Sequence, residues 1–434
     1  MNGILLTQNS TPIFKYIVWI LGKLMEGIFT VLDIIGIPNI GLAIILFTII
    51  INLLMLPLTI KQQKFAKLSF KMNPELQAIQ AKYKNRRDQD SQIAMNNEMQ
   101  AVYAKYGVSP TGSCAYLLIQ MPILFALYRV IYAMPAYVGK IGATFRVLAR
   151  QIISNDSAEW LMNTADGSIA NTVAMYGKSM TNGNLENGIV DVLNRLSSSD
   201  MSLVAANYDL NNLTYQGDLI LSNGGTRGLI DTYNNFLGLN IAESPHHLIA
   251  QAFQNGAWLI MIGAIAIPVL SAVTQWISVK LMPQQNDTSK MDDQQAQMQS
   301  TMKTMNMVMP LISAYFCFSL PAGMGIYWVA GSVVRGIQQV LINKHIDKMD
   351  FNSIIEKNAE KSAKKMEKIK QNQERINAYA NMSTKNIKSI QQKANVSSNS
   401  SSSDSNNDSS SKAKPGSMMA KANMVHEYNK KHNK

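Results

Sequence analysis

Apolar residues in this chain are bunched: runs close to 20 residues long alternate with stretches that are almost wholly polar. The cleanest run is GLAIILFTIIINLLMLPLTI, residues 41–60, which carries no charge and a single amide, Asn52, just past its middle. At about 1.5 Å of rise per residue, a helix of that length is about 30 Å long, the thickness of a bilayer's hydrocarbon core. Runs at 112–134, 256–279, 303–320 and 322–342 complete five expected membrane spans. Lipid offers Asn52 no hydrogen bond, so its amide should face protein or water. It then either bonds a neighbouring helix as structural glue or lines a polar site, and the pattern by itself leaves both readings open.

Between the runs, other periodicities appear. In 13–35, Ile17, Ile20, Leu21, Leu24, Ile28, Val31 and Leu32 recur at helical spacing with Lys15, Lys23, Glu26 and Asp33 among them. This predicts an interfacial helix on the outer leaflet within an external N-terminal segment, 1–40, with a sixth span as the alternative. In 61–107, Leu68, Met72, Leu76, Ile79 and Tyr83 step by four and three, and so do Met95, Met99, Val102 and Tyr106 after a polar break. Matching narrow stripes predict an antiparallel helical hairpin, tied to the spans by few contacts. Residues 135–250 are rich in Asn, Gly and Ser and predict a modest domain with helical patches such as 185–196. The stretch 281–302 reads as a polar loop. In the tail, 343–434, a basic helical part gives way to Ser/Asn low complexity and a last basic patch.

Charge orients this arrangement. The net charge of +12 would suggest nucleic acid on a soluble protein, but here it sits beside the spans and in the tail. Nine Lys and Arg outnumber four acids in 61–107, among them Lys61, Lys64, Lys67, Lys71, Arg86 and Arg87; the tail has eighteen against nine, whereas 135–250 has six against ten acids. The positive-inside rule therefore places hairpin and tail in the cytoplasm and 135–250 outside. The fold class expected is an all-α integral membrane protein with five transmembrane helices, N-terminus outside and C-terminus inside, a cytoplasmic hairpin, and an external insertion between spans 2 and 3. The basic residues are either a solvated face or a surface for anionic phospholipid or ribosomal RNA. The two cysteines, Cys114 and Cys317, fall in different spans at opposite depths, which argues against a disulfide, and no HExxH, Walker or GxGxxG pattern occurs. No enzyme chemistry and no cofactor are expected, nor is DNA a partner.

Four ordered blocks carry a specific resemblance: GLAIILFTIIINLLMLPLTIKQQKF (41–65), YGVSPTGSCAYLLIQMPILFALYRVI (106–131), NNFLGLNI (234–241) and PAGMGIYWVAGSVVRGIQQVLINK (321–344). In these the chain resembles the YidC/Oxa/Alb family of membrane protein insertases. The resemblance implies five spans around a groove open to cytoplasm and lipid but closed outside, into which nascent membrane proteins place their polar parts. It implies a plasma membrane location and the ribosome as partner, and leaves open whether the chain works alone or beside the general secretion translocon. The groove candidates are Asn52, Gln120, Gln275, Trp328, Ser332 and Arg335.

Four positions depart from the family's pattern. Asn52 stands where the bacterial members carry an arginine, Gly331-Ser332 replaces a Ser-Asn pair, and Arg335 appears inside the fifth span. A charge at a helix centre costs roughly 2.5–3.5 kcal/mol on insertion scales, so Arg335 calls for a reason. Counted from the outer ends, Asn52 and Arg335 lie roughly 17 and 20 Å deep. The expectation is that Arg335 has taken over the groove charge; the competing reading is that it snorkels to the cytoplasmic headgroups. A membrane protein insertase is the function expected, and a small-molecule transporter using the same buried polar groups is the alternative.

Overall fold

The longest element of the computed structural model is a single helix, α2, Ile40–Tyr83, 44 residues long. The structure describes residues 12–84, 86, 88–109, 112–164, 167–176, 180, 184–281, 293–364, 367–368, 371–372 and 374. The elements that position the site lie in the first of two compact units, Met1–Ala363. The tail beyond 374, with its low-complexity and final basic stretches, lies outside the described residues.

Helix α1, Pro12–Ile34, precedes α2, and α3, Gln89–Tyr106, follows it. Next come α4 (Gly112–Tyr132), α5 (Met134–Tyr137), α6 (Gly139–Asp156), α7 (Glu159–Asn163), α8 (Gly167–Tyr176), α9 (Leu185–Leu193) and α10 (Ser198–Tyr208). Two small antiparallel hairpins, β1–β2 (Thr214–Tyr215, Asp218–Leu219) and β3–β4 (Asn235–Phe236, Leu239–Asn240), flank α11, Leu229–Asn234. The chain closes with α12 (Pro245–Gln254), α13 (Trp258–Leu281), α14 (Asp293–Ser319), α15 (Ala322–Asp347) and a further helix, α16, over 351–364. Among the described residues, α2 and α13 are long and apolar enough to cross a membrane, and α14 carries a shorter apolar run, Met307–Ser319. Four glycines, Ser332, Arg335 and two glutamines dilute α15.

Asn39 starts α2 with a double role. Its Oδ1 accepts from the Leu42 amide at 3.1 Å, satisfying one of the helix's unpaired N–H groups, and its Nδ2 donates to the Asn235 carbonyl at 2.7 Å. The helix then runs without interruption through Pro57 and Pro74. The expected break between a span ending at 60 and a separate hairpin arm is therefore absent, because neither proline nor the onset of polar residues at Lys61 outweighs packing on both sides.

The two hairpin arms meet through their stripes. Leu68, Met72, Leu76, Val102 and Tyr106 are buried, with Ile79 and Met99 packed against them. Lys105 and the Tyr106 hydroxyl both reach Glu75, at 2.8 and 2.7 Å, and Lys82 and Tyr83 reach Glu98 at 2.6 and 2.9 Å. Burial first and then the Glu75 carboxylate push the Tyr106 phenol up to about 12. The expectation that few contacts tie the hairpin to the spans is overturned. Its core continues into Ile342 and Ile346 of α15 and Phe351 of α16, Lys67 pairs with Asp347 at 2.6 Å, and Asn358 donates to the Tyr106 carbonyl at 3.1 Å. The hairpin stripes were wide enough to take a third and fourth helix.

Helix α1 is more deeply packed than an interfacial helix would be, and its buried stripe is rotated from the one expected. Val18, Leu21, Met25, Ile28, Phe29 and Leu32 are buried, whereas Ile20 and Val31 are each 59% exposed. Both faces of this helix are apolar, so spacing alone could not say which would turn inward. Its C-terminal end is held by Lys140 of α6, whose ammonium lies 2.6 Å from Asp33. Burial opposes the Lys140 charge, but the bond to Asp33 outweighs it and raises the pKa.

The described residues of 134–254 form a folded helical layer whose core is continuous with that of α2 and α4: Leu148, Ile152, Val190, Val192 and Tyr208 are all buried in the same cluster as Phe47 and Leu127. Arg195 is stacked 3.1 Å from the centre of the Tyr132 ring, fastening the end of α9 to the end of α4.

Candidate functional site

Two features frame the candidate site: a lid of backbone over one end of the helices and a polar seam along their length. The lid is the stretch 234–243. Pro321 starts α15 with no side-chain cap, and the first amides of that helix donate instead to lid carbonyls, Ala322 N to Glu243 at 2.7 Å and Gly323 N to Ile241 at 2.9 Å. The Glu243 carboxylate is buried and held by the Ser198 amide at 3.1 Å, the Ser198 hydroxyl and the Asn240 amide at 3.0 Å. On the other side Phe236 presses on Gly41, where a Cβ would stand 2.5 Å from its ring. The turn between β3 and β4 places both Leu237 (φ 53) and Gly238 (φ 85) in the left-handed region, the geometry of a type I′ hairpin. The lid thus joins the starts of α2 and α15.

The seam lies where α15 packs between α2 and α13. Ser332 is 2% exposed; its carbonyl accepts from Ser278 Oγ of α13 at 2.7 Å, and its own Oγ accepts from Arg335 at 3.2 Å. Farther along, Gln338 Nε2 donates to the Asn52 carbonyl at 3.0 Å. Gln63 Nε2 donates to Gln339 Oε1 at 2.5 Å, Gln339 Nε2 to Asn343 Oδ1 at 2.8 Å, and Asn343 Nδ2 to the Leu281 carbonyl at 3.1 Å. From Ser332 to Asn343 the seam extends about 16 Å along the helix. These bonds satisfy buried amides that would otherwise cost on the order of 1–3 kcal/mol each.

Of the six groove candidates, the structure brings Ser332 and Arg335 into direct contact and sets Trp328, half-buried, against the main core. The Asn52 amide turns back to its own helix, donating to the Thr48 carbonyl at 2.7 Å; what ties this position to α15 is its backbone carbonyl. Gln120 and Gln275 are half-buried and, among the described residues, stand outside the seam's hydrogen bonds. Of the hairpin cations, Lys61, Lys71 and Arg86 are exposed, Lys64 and Lys67 are partly covered, and Arg87 lies outside the described residues. Gln63, Ser278, Gln338, Gln339 and Asn343 were not anticipated. The steps of four from Arg335 to Gln339 to Asn343 are the signal that could have found part of this row.

The guanidinium of Arg335 folds back along its own helix. Its Nη2 donates to Ser332 Oγ three residues earlier, and Nη1 lies 3.0 Å from where a Cβ on Gly331 would be. Helical side chains lean toward the N-terminus, and here the lean is completed because residue 331 has no side chain and residue 332 offers an acceptor. The departures at 331, 332 and 335 are therefore one arrangement: a seat and its occupant.

Similarity to the 60Kd inner membrane protein family extends over residues 31–198 and 229–349, about two thirds of the chain, including α2, α13, α15 and the lid. The chain belongs to that family. Among relatives in the 60Kd inner membrane protein family, the membrane protein insertase MisCA of Bacillus subtilis is 43% identical over 117 residues, covering 27% of this chain and 43% of that protein. Membrane protein insertase YidC of Fusobacterium nucleatum is 42% identical over 93 residues, covering 21% and 43%. YidC 2 of Bacillus anthracis is 39% identical over 127 residues, covering 29% and 48%. The chain thus spans less than half the length of each of these relatives.

Proposed function

We propose that this chain is a membrane protein insertase that receives the polar parts of nascent membrane proteins along the seam and releases their apolar segments into lipid. In this reading α2, α4, α13, α14 and α15 cross the plasma membrane as five spans, with the N-terminus and the 134–254 layer outside and the 61–107 hairpin and tail inside. Burying an unpaired peptide group in hydrocarbon costs several kcal/mol, and an insertase lowers that barrier by offering polar partners part-way across. No covalent chemistry is involved. The observation that carries the reading is the seated arginine: Arg335 is held beside Ser332, among a row of amides, in a helix within the match to the 60Kd inner membrane protein family, and the relatives reported above are named insertases. Turned toward the start of α15, its guanidinium is directed away from the cytoplasmic end, which favours a groove charge over a snorkelling one. The lid supports an outer closure. Hairpin and tail cations suit the ribosome and anionic phospholipid as partners, with the general secretion translocon a further one.

The transporter alternative finds no support, since the reported relatives are named as insertases. The test is depletion from cells, followed by replacement with variants. Depletion should block insertion of several unrelated small membrane proteins; loss of uptake of one solute with insertion intact would overturn the reading. Arg335→Ala should impair insertion and Asn52→Arg should restore it, and a photo-crosslinker at Trp328 should capture a stalled nascent chain.

A further inference from the structure

On the flank of α15 turned away from α13, the structure leaves an apolar cleft of about 440 Å³ against α2. Ile49, Leu53, Leu56 and Ile60 form one wall, and Ile337 and Leu341 belong to the other. Gln338 lies at its edge with its amide already committed to the Asn52 carbonyl, and His345 stands at one end. The cleft meets the seam only at Gln338: Gly336 faces Ser278 Oγ on the α13 side, whereas Ile337, one residue on, lines the cleft.

We propose that this cleft holds one acyl chain of an anionic phospholipid, with the phosphate at the His345 end. The proposal rests on the reading of α2 and α15 as membrane spans. Its wall on α2 is the apolar part of a helix long enough to cross a bilayer, and Leu53 (55%), Ile337 (58%) and Leu341 (62%) are exposed, so the cleft opens to whatever surrounds the helices. At hydrocarbon depth that surrounding is acyl chain. Charge decides which lipid. Lys64 follows Ile60 by one helical turn, and Lys348 follows His345 by three residues, so both continue the walls of the cleft just past its end. Lys64 is half-buried, and among the described residues neither lysine has an acidic partner. The acid closest along α15, Asp347, is taken by Lys67 at 2.6 Å. An apolar slot that ends in two unpaired cations matches one lipid tail and an anionic headgroup.

The test is bound lipid measured on the full chain, purified in detergent and offered phosphatidylglycerol or phosphatidylcholine of the same acyl composition, read by native mass spectrometry. Wild type should retain phosphatidylglycerol preferentially. Lys64→Gln and Lys348→Gln should each lower that preference about five-fold, and Ile337→Trp, which fills the slot, should strip both lipids. Equal retention of the two lipids by wild type, or retention unaffected by Ile337→Trp in a protein that elutes and melts normally, overturns the proposal. A photo-crosslinker at Leu53 in native membranes supports it by capturing lipid and overturns it by capturing a protein helix instead. Because the readout is lipid and not insertion, failure of the insertase reading would show separately.

Discussion

The Gln63–Gln339 bond makes a quantitative prediction about the seam. Gln63 is 8% and Gln339 6% exposed, and their 2.5 Å bond joins residues 276 positions apart. Gln63→Ala leaves Gln339 Oε1 without its donor, a loss of about 1–2 kcal/mol. Gln339→Ala removes two bonds, leaving Gln63 Nε2 without its acceptor and Asn343 Oδ1 without its donor, so it should cost about 2–3 kcal/mol. In the double variant the penalty for the orphaned partner disappears. The pair should therefore fall short of the sum by about 0.6 kcal/mol, the average for side-chain bonds between membrane helices, with about 1.7 as the upper bound. Equilibrium unfolding in mixed micelles gives the four corners of the cycle. Additivity within about 0.3 kcal/mol, or a Gln63→Ala loss equal to that of Gln339→Ala, would refute the claim that Gln339 is the hub of the seam.

Three further outcomes are expected. Gly41→Ala should destabilise by about 1–3 kcal/mol, because its Cβ would stand 2.5 Å from the Phe236 ring; an unchanged melting temperature would show that the lid yields freely. Phe351→Ala should free the hairpin, at a cost of about 3 kcal/mol, and accelerate hydrogen exchange throughout 61–107; unaltered exchange would mean that α16 does not hold it. Glu75 is subject to burial, which raises its pKa, but the Lys105 and Tyr106 hydrogen bonds outweigh this and lower it. With the folded pKa depressed, its contribution is fully present above the ordinary glutamate value of 4.5 and is lost as pH falls through the lower folded value, so acid should loosen the hairpin. Protection of hairpin amides followed from about pH 6 to about pH 3 should show this loss in wild type and not in Glu75→Gln; an identical profile in both would remove Glu75 from the account.

What the chain's linear pattern settled by itself was mostly apolar content and local periodicity. The run 41–60 is apolar enough to mark α2 wherever it packs, and the stripe from Leu68 to Tyr83 must find the stripe ending at Tyr106, because a short polar break folds one arm onto the other. The four blocks carry the resemblance to an insertase family without any tertiary contact, and the charge asymmetry carries the expected orientation. Other features depended on partners distant in sequence. Helix α1 carries apolar residues on both faces, and its packing partners, Tyr233 against Phe29 among them, decided that Met25 and Phe29 turn inward while Ile20 turns out. Asn52 was the polar residue that stood out, yet its amide bonds its own helix; the cross-helix work falls to Gln63, Gln338 and Gln339, which look like ordinary polar residues near the ends of their apolar runs. The seat for Arg335 shows the division most directly. The arginine is visible in the sequence as a charge in an apolar run, but its direction is set by space and by an acceptor. Gly331 supplies the space and Ser332 the acceptor, and Ser332 is kept in a buried, fixed place by α13 packed against its backbone.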